Sequence, residues 1–329
     1  AMIVHLDGSG AVTFLICVPP LVPLYDAVGM KRTTLATIVA MSAGTMNILP
    51  WGGPTIRAAT ALNVDVVSEL FMPVLPAVLV GLALDVVLSA LLGAREKARL
   101  GNVKLTSAEF KMAELTEEEK KLARPHLFWV NIILIIAAIV TLLFSGFAPA
   151  VVFMIFYVLA TVINYPKVAD TKARVDANAK SAIMMCSVLF AAGAFCGIMT
   201  GTGMITEMAN TLVSIIPHSL GKFFPVIVGI IGMPASLLFD PDSFYYGVLP
   251  VLAQTAEGFG VAGVNVGQAA ILGQMTVGFP VSPLTPSTFL LVGLAGVDLG
   301  EHQKKTIPIL WLVSLVMLAV AVLTGGITI

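Results

Sequence analysis

Long apolar runs with few charges inside them dominate the chain, and their lengths define the elements. Runs near 70–92, 127–144, 148–164, 181–199 and 306–325 are close to the roughly 20 residues that a helix needs to cross a hydrocarbon core about 30 Å thick. Two further runs, 34–62 and 264–297, cross only if the Gly and Pro residues in their middles interrupt the helix without ending the passage. Segments 222–238 and 244–256, on either side of Asp240-Pro241-Asp242-Ser243, are too short for two separate crossings. They predict a re-entrant hairpin over 222–257, and residues 11–25 read as the second arm of an earlier hairpin. Asp85 lies inside the first span, where a carboxyl has to face protein or water rather than lipid.

The interruptions recur in one order. Leu6-Asp7-Gly8-Ser9-Gly10 is followed, 40 residues after its Asp, by Asn47-Ile48-Leu49-Pro50-Trp51-Gly52-Gly53-Pro54-Thr55. Phe239-Asp240-Pro241-Asp242-Ser243 is followed at the same distance by Pro280-Val281-Ser282-Pro283-Leu284-Thr285-Pro286-Ser287-Thr288. The ungapped offset that sets Asp7 on Asp240 also sets Val28 on Val261, Ala36 on Ala269, Pro50 on Pro283, Thr55 on Thr288 and Asp65 on Asp298. Two matching sets of broken segments in a membrane chain predict a transporter of two repeats, with its binding site where the breaks meet. The expected fold is all-α and polytopic: two inverted repeats, each with a re-entrant hairpin and a discontinuous transmembrane helix. The expected division is 1–93 for the later part of the first repeat, 94–125 for a cytoplasmic linker and 126–329 for the second repeat. Within the second repeat, 126–200 form scaffold helices, 222–257 the hairpin, 264–297 the broken helix and 306–327 the last helix. Equal repeats predict further sequence ahead of Asp7, in a whole protein of roughly 430–450 residues.

Composition agrees with that reading. The chain is 58% hydrophobic and 11% charged, with mean hydropathy +0.98, a balance that a water-soluble domain of this length cannot bury. A net charge of −1 excludes nucleic acid as a partner and leaves membrane lipid and a small molecule. Lys and Arg gather at Lys31-Arg32, in the loop from Arg95 to Arg124, between Lys167 and Lys180, and at Lys304-Lys305, which the positive-inside rule places in the cytoplasm. With that orientation the two hairpins enter from opposite faces of the membrane, the sign of inverted repeats. The linker carries the acidic run Glu117-Glu118-Glu119 and reads as a solvated connection. Cys17, Cys186 and Cys196 sit in apolar runs and read as small buried hydrophobes. His5, His126, His218 and His302 fall at segment ends and read as interfacial. Thr200-Gly201-Thr202-Gly203 reads as a helix break serving tight packing, with Glu207 a candidate for proton coupling. No nucleotide-binding loop, HExxH, CxxC pair or nucleophile elbow appears, so the chain reads as no enzyme.

Non-helical backbone at membrane depth survives only where it lines a cavity or is buried in protein, which makes the breaks the candidate site. Asp7, with Gly8, Ser9 and Gly10, forms the first tip and offers a hard oxygen ligand, a protonatable group or simply a cap. Asp240 and Asp242, with Ser243 and Tyr246, form the second tip; two carboxylates so close are expensive unless one is protonated or a cation lies between them. Asn47, Gly52, Gly53, Pro54 and Thr55 belong to the first unwound segment, and Ser282, Thr285, Ser287 and Thr288 to the second. Arg57 is the one basic residue inside a span. It either snorkels to the interface or forks onto a carboxylate, which points to an anionic substrate.

The runs Leu6-Asp7-Gly8-Ser9-Gly10, Met46-Asn47-Ile48-Leu49-Pro50-Trp51-Gly52-Gly53-Pro54-Thr55, Asp240-Pro241-Asp242-Ser243-Phe244-Tyr245-Tyr246-Gly247 and Ser282-Pro283-Leu284-Thr285-Pro286 resemble the metal-citrate:proton symporter family, CitMHS, of the ion transporter superfamily. The resemblance covers essentially the whole chain; the family also has scaffold helices and a first hairpin arm ahead of the first tip. It implies uptake of citrate as a divalent-metal complex by proton symport, through an elevator-like movement of a hairpin-bearing domain. Mg2+ or Ca2+ is then part of the cargo, held by Asp7, Asp240 and Asp242 together with substrate carboxylates, and no cofactor is tightly bound. A homodimer in the inner cell membrane is expected. A sodium-coupled di- or tricarboxylate symporter or ion antiporter of the same superfamily is the alternative, and a channel-like or structural membrane protein is the reading from a different class.

Overall fold

Backbone in an apolar surround has to satisfy its own hydrogen bonds, and the described chain does so with helices alone, no strand occurring among the described residues. The computed structural model describes residues 1–101, 120, 122–147 and 149–328; the expected linker 94–125, with its acidic run, lies mostly outside them. The chain divides into two units, Ala1–Met112 with Ala192–Ile329, and Ala113–Ala191.

In the first unit, α1 (Gly10–Val28) follows a short 3-10 turn at Val4–Asp7. Helices α2 (Arg32–Met46) and α3 (Gly53–Leu62) are the two halves of the first broken segment. A π-helical turn (Val66–Phe71) leads into the long α4 (Met72–Leu100). The smaller unit holds α5 (Phe128–Phe144), α6 (Pro149–Asn164) and the start of α7 (Val168–Gly201). Asn131, early in α5, and Asn164, last in α6, exchange amide hydrogen bonds of 2.9 and 2.8 Å, which pins the pair antiparallel. The chain continues through α8 (Met204–Ile215) to α9 (Phe224–Ala235), a tip, and a π-helical turn (Ser243–Val248) that runs into α10 (Leu249–Gly258). Helices α11 (Gly263–Ile271) and α12 (Pro286–Ala295) are the halves of the second broken segment, and α13 (Leu299–Leu323) closes the unit.

Helix α1, the stretch Val66–Leu100, the stretch Pro125–Phe144 and α13 are long and apolar enough to cross a membrane. The 12 residues of α9 extend only about 18 Å, too short for a crossing. The first segment is interrupted between α2 and α3; the second is interrupted ahead of its prolines, since α11 ends at Ile271 and the stretch up to Thr285 holds only a 3-10 turn at Phe279–Val281.

The offset read from the sequence also relates the elements. It carries Gly53–Leu62 onto Pro286–Ala295, so α3 and α12 begin and end at matched positions. Their C-caps, Asn63 and Gly296, are both left-handed, with φ of 53° and 62°; Asn tolerates that region better than other residues with a Cβ. Each cap is followed two residues later by an Asp that caps the next helix: Asp65 accepts from Val67 and Ser68, and Asp298 from Glu301. Hydrogen bonds from the Ser68 backbone and hydroxyl hold the Asp65 carboxyl below the usual carboxylate range.

The core lies along α2 and α11, where nearly every side chain is buried. Small residues make that possible: a Cβ on Gly44 would stand 3.0 Å from the Val277 backbone, so α2 touches the second break directly. Helix α4 buries Val74, Ala77, Val78, Gly81, Asp85 and Leu92 on one stripe and exposes Leu79, Val86, Val87 and Leu91 on the other. Asp85 thus faces protein, as a carboxyl at that depth requires.

Three readings need correction. His5 and His302 are fully buried and hydrogen-bonded rather than interfacial, because each anchors a break. Cys17 is buried, but Cys186 is exposed and Cys196 only partly covered. Gly201 and Gly203 do separate α7 from α8, yet a Cβ on either would meet no atom within 4 Å. The left-handed turn at Gly203, φ 76°, and not tight packing, is what requires glycine there.

A methyl group on Gly52 would collide with the carbonyl oxygens of Asn47 and Leu49, which are backbone and cannot swing aside. Gly52→Ala should therefore lower stability by about 1–3 kcal/mol, whereas Gly93→Ala, in open space on α4, should raise it by about 0.5–1 kcal/mol. Thermal unfolding of the two variants in detergent checks both signs.

Candidate functional site

The four interruptions meet. The first tip is tied to the first break by the Trp51 indole, which donates to the Leu6 carbonyl at 2.8 Å. His5 lies between Thr13, at 2.8 Å from Nδ1, and Asn47, at 3.5 Å from Nε2. The tip also touches the second break, since Gly10 would bring a Cβ to 2.6 Å from the Phe279 ring, and His5 and Phe14 both stack on that ring. Break meets break where Asn47 Nδ2 donates to the Met275 carbonyl at 3.0 Å. The second tip is sewn to the second break by Ser236, which accepts from the Met275 N–H at 2.8 Å, and by the Tyr245 hydroxyl, which donates to the Gln274 carbonyl at 2.7 Å. It reaches the first broken segment through Arg57, whose Nε donates to Asp242 Oδ1 at 2.7 Å.

Local chemistry explains each break. At the first, the Thr55 hydroxyl donates back to the Ile48 carbonyl at 3.0 Å, and Pro54 starts α3 where its missing N–H is no loss. At the second, Thr285 and Thr288 both donate to the Phe279 carbonyl, at 2.8 and 2.7 Å, with their hydroxyls 2.7 Å apart. Thr55 and Thr288, matched by the offset, do the same work: each closes a half-helix back onto its own break. Ser282 accepts from the Leu284 N–H, and Ser287 is half-buried in the first turn of α12.

The acidic tips are compensated one carboxylate at a time. Asp240 accepts from the backbone N–H groups of Asp242 and Ser243 and from the Ser243 hydroxyl, at 2.9, 2.9 and 2.7 Å. Asp242 is paired with Arg57, so each of the two neighbours has its own partner. Asp7 is exposed and accepts from the Ser9 N–H at 2.8 Å; Ser9 caps α1. Among the described residues no three His, Cys, Asp or Glu side chains gather as a metal-holding group, so Asp7, Asp240 and Asp242 form no cage by themselves. Arg57 does not snorkel: its side chain is 12% exposed and its Nε is engaged by a residue of the second tip.

Helices begin at each interruption, at Gly10, Gly53, Ser243 and Pro286. Helix N-termini carry partial positive charge and unpaired N–H groups, so the region favours anions while its Asp, Ser, Thr and Asn side chains supply oxygen.

Sequence reasoning missed the upstream half of the second break. Gln274 Oε1, Thr276 Oγ1 and the Tyr246 hydroxyl are buried there or beside it without a hydrogen-bond partner among the described residues. Met275 takes a left-handed φ of 50°, a strained conformation for a side chain of that size. The signal for it is the pair Gly273 and Gly278 framing Gln-Met-Thr-Val inside an apolar run.

Discontinuous apolar helices gathered around a polar, oxygen-rich, anion-favouring centre define a multi-pass membrane transporter and no enzyme. Residues 1–278 match the citrate transporter family, CitMHS, to which this chain belongs. It is 40% identical over 326 residues to a citrate transporter of Bacillus subtilis, covering 98% of this chain and 74% of that one. It is 39% identical over 328 residues to a Mg(2+)/citrate complex secondary transporter of the same organism, covering 100% of this chain and 75% of that one.

Because the Asp242 side chain is 47% exposed, its pairing with Arg57 is partly screened. A double-mutant cycle with Arg57→Gln and Asp242→Asn, read by thermal unfolding, should give a coupling energy of about 1 kcal/mol; strictly additive losses would mean the pair contributes nothing to the fold.

Proposed function

We propose that the protein takes up citrate as a complex with a divalent cation, Mg2+ or Ca2+, in symport with protons. One observation carries this reading: Asp242 of the second tip meets the Arg57 guanidinium where the four interruptions converge and a helix begins at each, with Asp7 and Asp240 the other carboxylates of the tips. Free citrate bears a charge of about −3 at neutral pH and would be repelled by those carboxylates. Its 1:1 complex with a divalent cation bears about −1, a charge that helix N-termini and Arg57 accommodate. The cation in turn prefers oxygen ligands, and the candidate residues offer oxygen without Cys. The relative named for a Mg(2+)/citrate complex supports the same cargo.

The matched lengths and caps of α3 and α12 support two inverted repeats, 1–93 and 126–329, each contributing a re-entrant hairpin and a broken helix. In this reading Gly8, Gly10, Asn47, Gly52, Gly53 and Pro54 shape the first half of the site. Asp7 and Ser9 at the first tip, and Thr55, Arg57, Ser243, Tyr246, Ser282, Thr285, Ser287 and Thr288 beyond it, supply polar contacts. The hairpins and broken helices move together as an elevator-like body, in a homodimer in the cell membrane with Lys31, Lys304 and Lys305 facing the cytoplasm.

Labelled-citrate uptake into proteoliposomes tests this. Uptake should require Mg2+ or Ca2+, stop with a chelator and collapse with the proton gradient; uptake that ignores the chelator and follows sodium would assign the protein to sodium-coupled carboxylate transport. Asp240→Asn and Asp242→Asn should each abolish coupled uptake in a folded protein. Arg57→Gln should raise KM about tenfold, since a charge-assisted hydrogen bond contributes about 1.5–3 kcal/mol. An unchanged KM would confine Arg57 to its ion pair.

A further inference from the structure

Asp85 is fully buried within α4, and neither of its carboxyl oxygens has a hydrogen-bond partner among the described residues. It lies on the protein-facing stripe of α4, one turn beyond Gly81, where a Cβ would meet Met317 of α13 and come to 3.2 Å from Thr45 of α2. The Thr45 hydroxyl stands beside the carboxyl, outside hydrogen-bonding geometry, and is itself unpartnered. Helices α4 and α13 run antiparallel, since Pro73 meets Gly326 and Gly81 meets Met317. One turn forward on α4 and one turn back on α13 therefore bring Asp85 to the level of Ser314, whose hydroxyl is also buried and unpartnered. Three orphan oxygen-bearing side chains thus lie at one level of α2, α4 and α13.

No charge among the described residues faces this pocket. On α13 the titratable residues Glu301, His302, Lys304 and Lys305 occupy the first two turns, and 306–323 carry none. On α2 the only charge is Arg32, at its first residue and paired with Asp26. The turn before α4 offers Glu69, which accepts from the Asp65 N–H. On α4 itself Arg95, Glu96, Lys97 and Arg99 lie about three turns away, and Glu96 and Lys305 both meet Thr34 at that end. An ionised carboxylate without a counter-charge at such depth is untenable; taking up a proton removes the charge and gives the group a donor for a neighbouring hydroxyl. The location suits coupling. Thr45 stands two residues before Asn47, and a Cβ on Gly273, in the second break, would lie 2.8 Å from the Ser314 hydroxyl.

We propose that Asp85, flanked by Thr45 and Ser314, is the proton-binding site of this transporter, separate from the substrate site and coupled to it through the two breaks. The assignment rests on proton symport as proposed for the substrate site. The carboxylate takes one proton from one side of the membrane with substrate bound and returns it to the other after substrate leaves.

The test compares gradient-driven accumulation with counterflow of labelled metal-citrate in proteoliposomes at equal pH on both sides. In Asp85→Asn, accumulation driven by a proton gradient should fall by at least about tenfold, in the range of coupling energies between sites, while counterflow persists. Asp85→Glu should remain driven, with a displaced pH profile. Accumulation in Asp85→Asn as steep as in the wild type overturns the proposal and leaves proton symport standing. Equal loss of accumulation and counterflow also overturns it, because a structural residue would behave so. A wild-type protein driven by sodium and not by protons removes the symport reading itself, and the assignment with it. Should Asp85→Asn fail to reach the membrane, infrared spectra of the wild type and Asp85→Glu decide: a protonated-carboxyl band that shifts with the substitution supports the proposal, and its absence overturns it.

Discussion

The side-chain amide of Asn47 is the joint on which the first unit depends. A break in a membrane helix leaves N–H and C=O groups that lipid cannot satisfy, and each must find a partner in protein. Asn47 carries a donor and an acceptor on one short stem: Nδ2 reaches the Met275 carbonyl in the other break, and Oδ1 faces His5 below the first tip. The amide does both without adding charge. The burial of His5, the stacking on Phe279 and the tight approach of Gly44 to Val277 all follow from holding the two breaks in register around it.

The polar chemistry of the centre is divided between structure and function. The hydroxyls of Thr55, Thr285 and Thr288 donate to carbonyls freed by the breaks, so their hydrogens serve the fold and only their lone pairs remain for a ligand. Asp240 is consumed in the same way by the turn it organises. The Arg57–Asp242 pair links a half-helix of the first segment to the second tip, so an ion pair at the centre joins distant parts of the chain.

Run length and punctuation make the helical character, the long spans and the existence of all four breaks legible in the amino-acid sequence, because membrane thickness and backbone satisfaction leave few alternatives. The burial of Asp85 against protein is legible for the same reason. Pairings between breaks are not. Nothing in the spacing of Arg57 says that Asp242 is its partner, and a lone Arg in a span reads equally as an interfacial residue or a ligand. His5 and His302 mislead because the end of an apolar segment suggests water, whereas these two ends lie inside the protein. The second break reads too late in the sequence because its prolines, Pro280 to Pro286, are louder than the Gly273 and Gly278 that frame the stretch after α11.

The bond from Asn47 to Met275 spans 228 positions of the chain. At a synthesis rate of about 5–20 residues per second, the first broken helix leaves the ribosome roughly 10–45 seconds before its partner carbonyl exists. During that interval its polar backbone has no final partner, so the nascent segment has to wait in water, in the insertion machinery or in a provisional pairing. A contact that completes the mature centre can thus form only late in the protein's biogenesis.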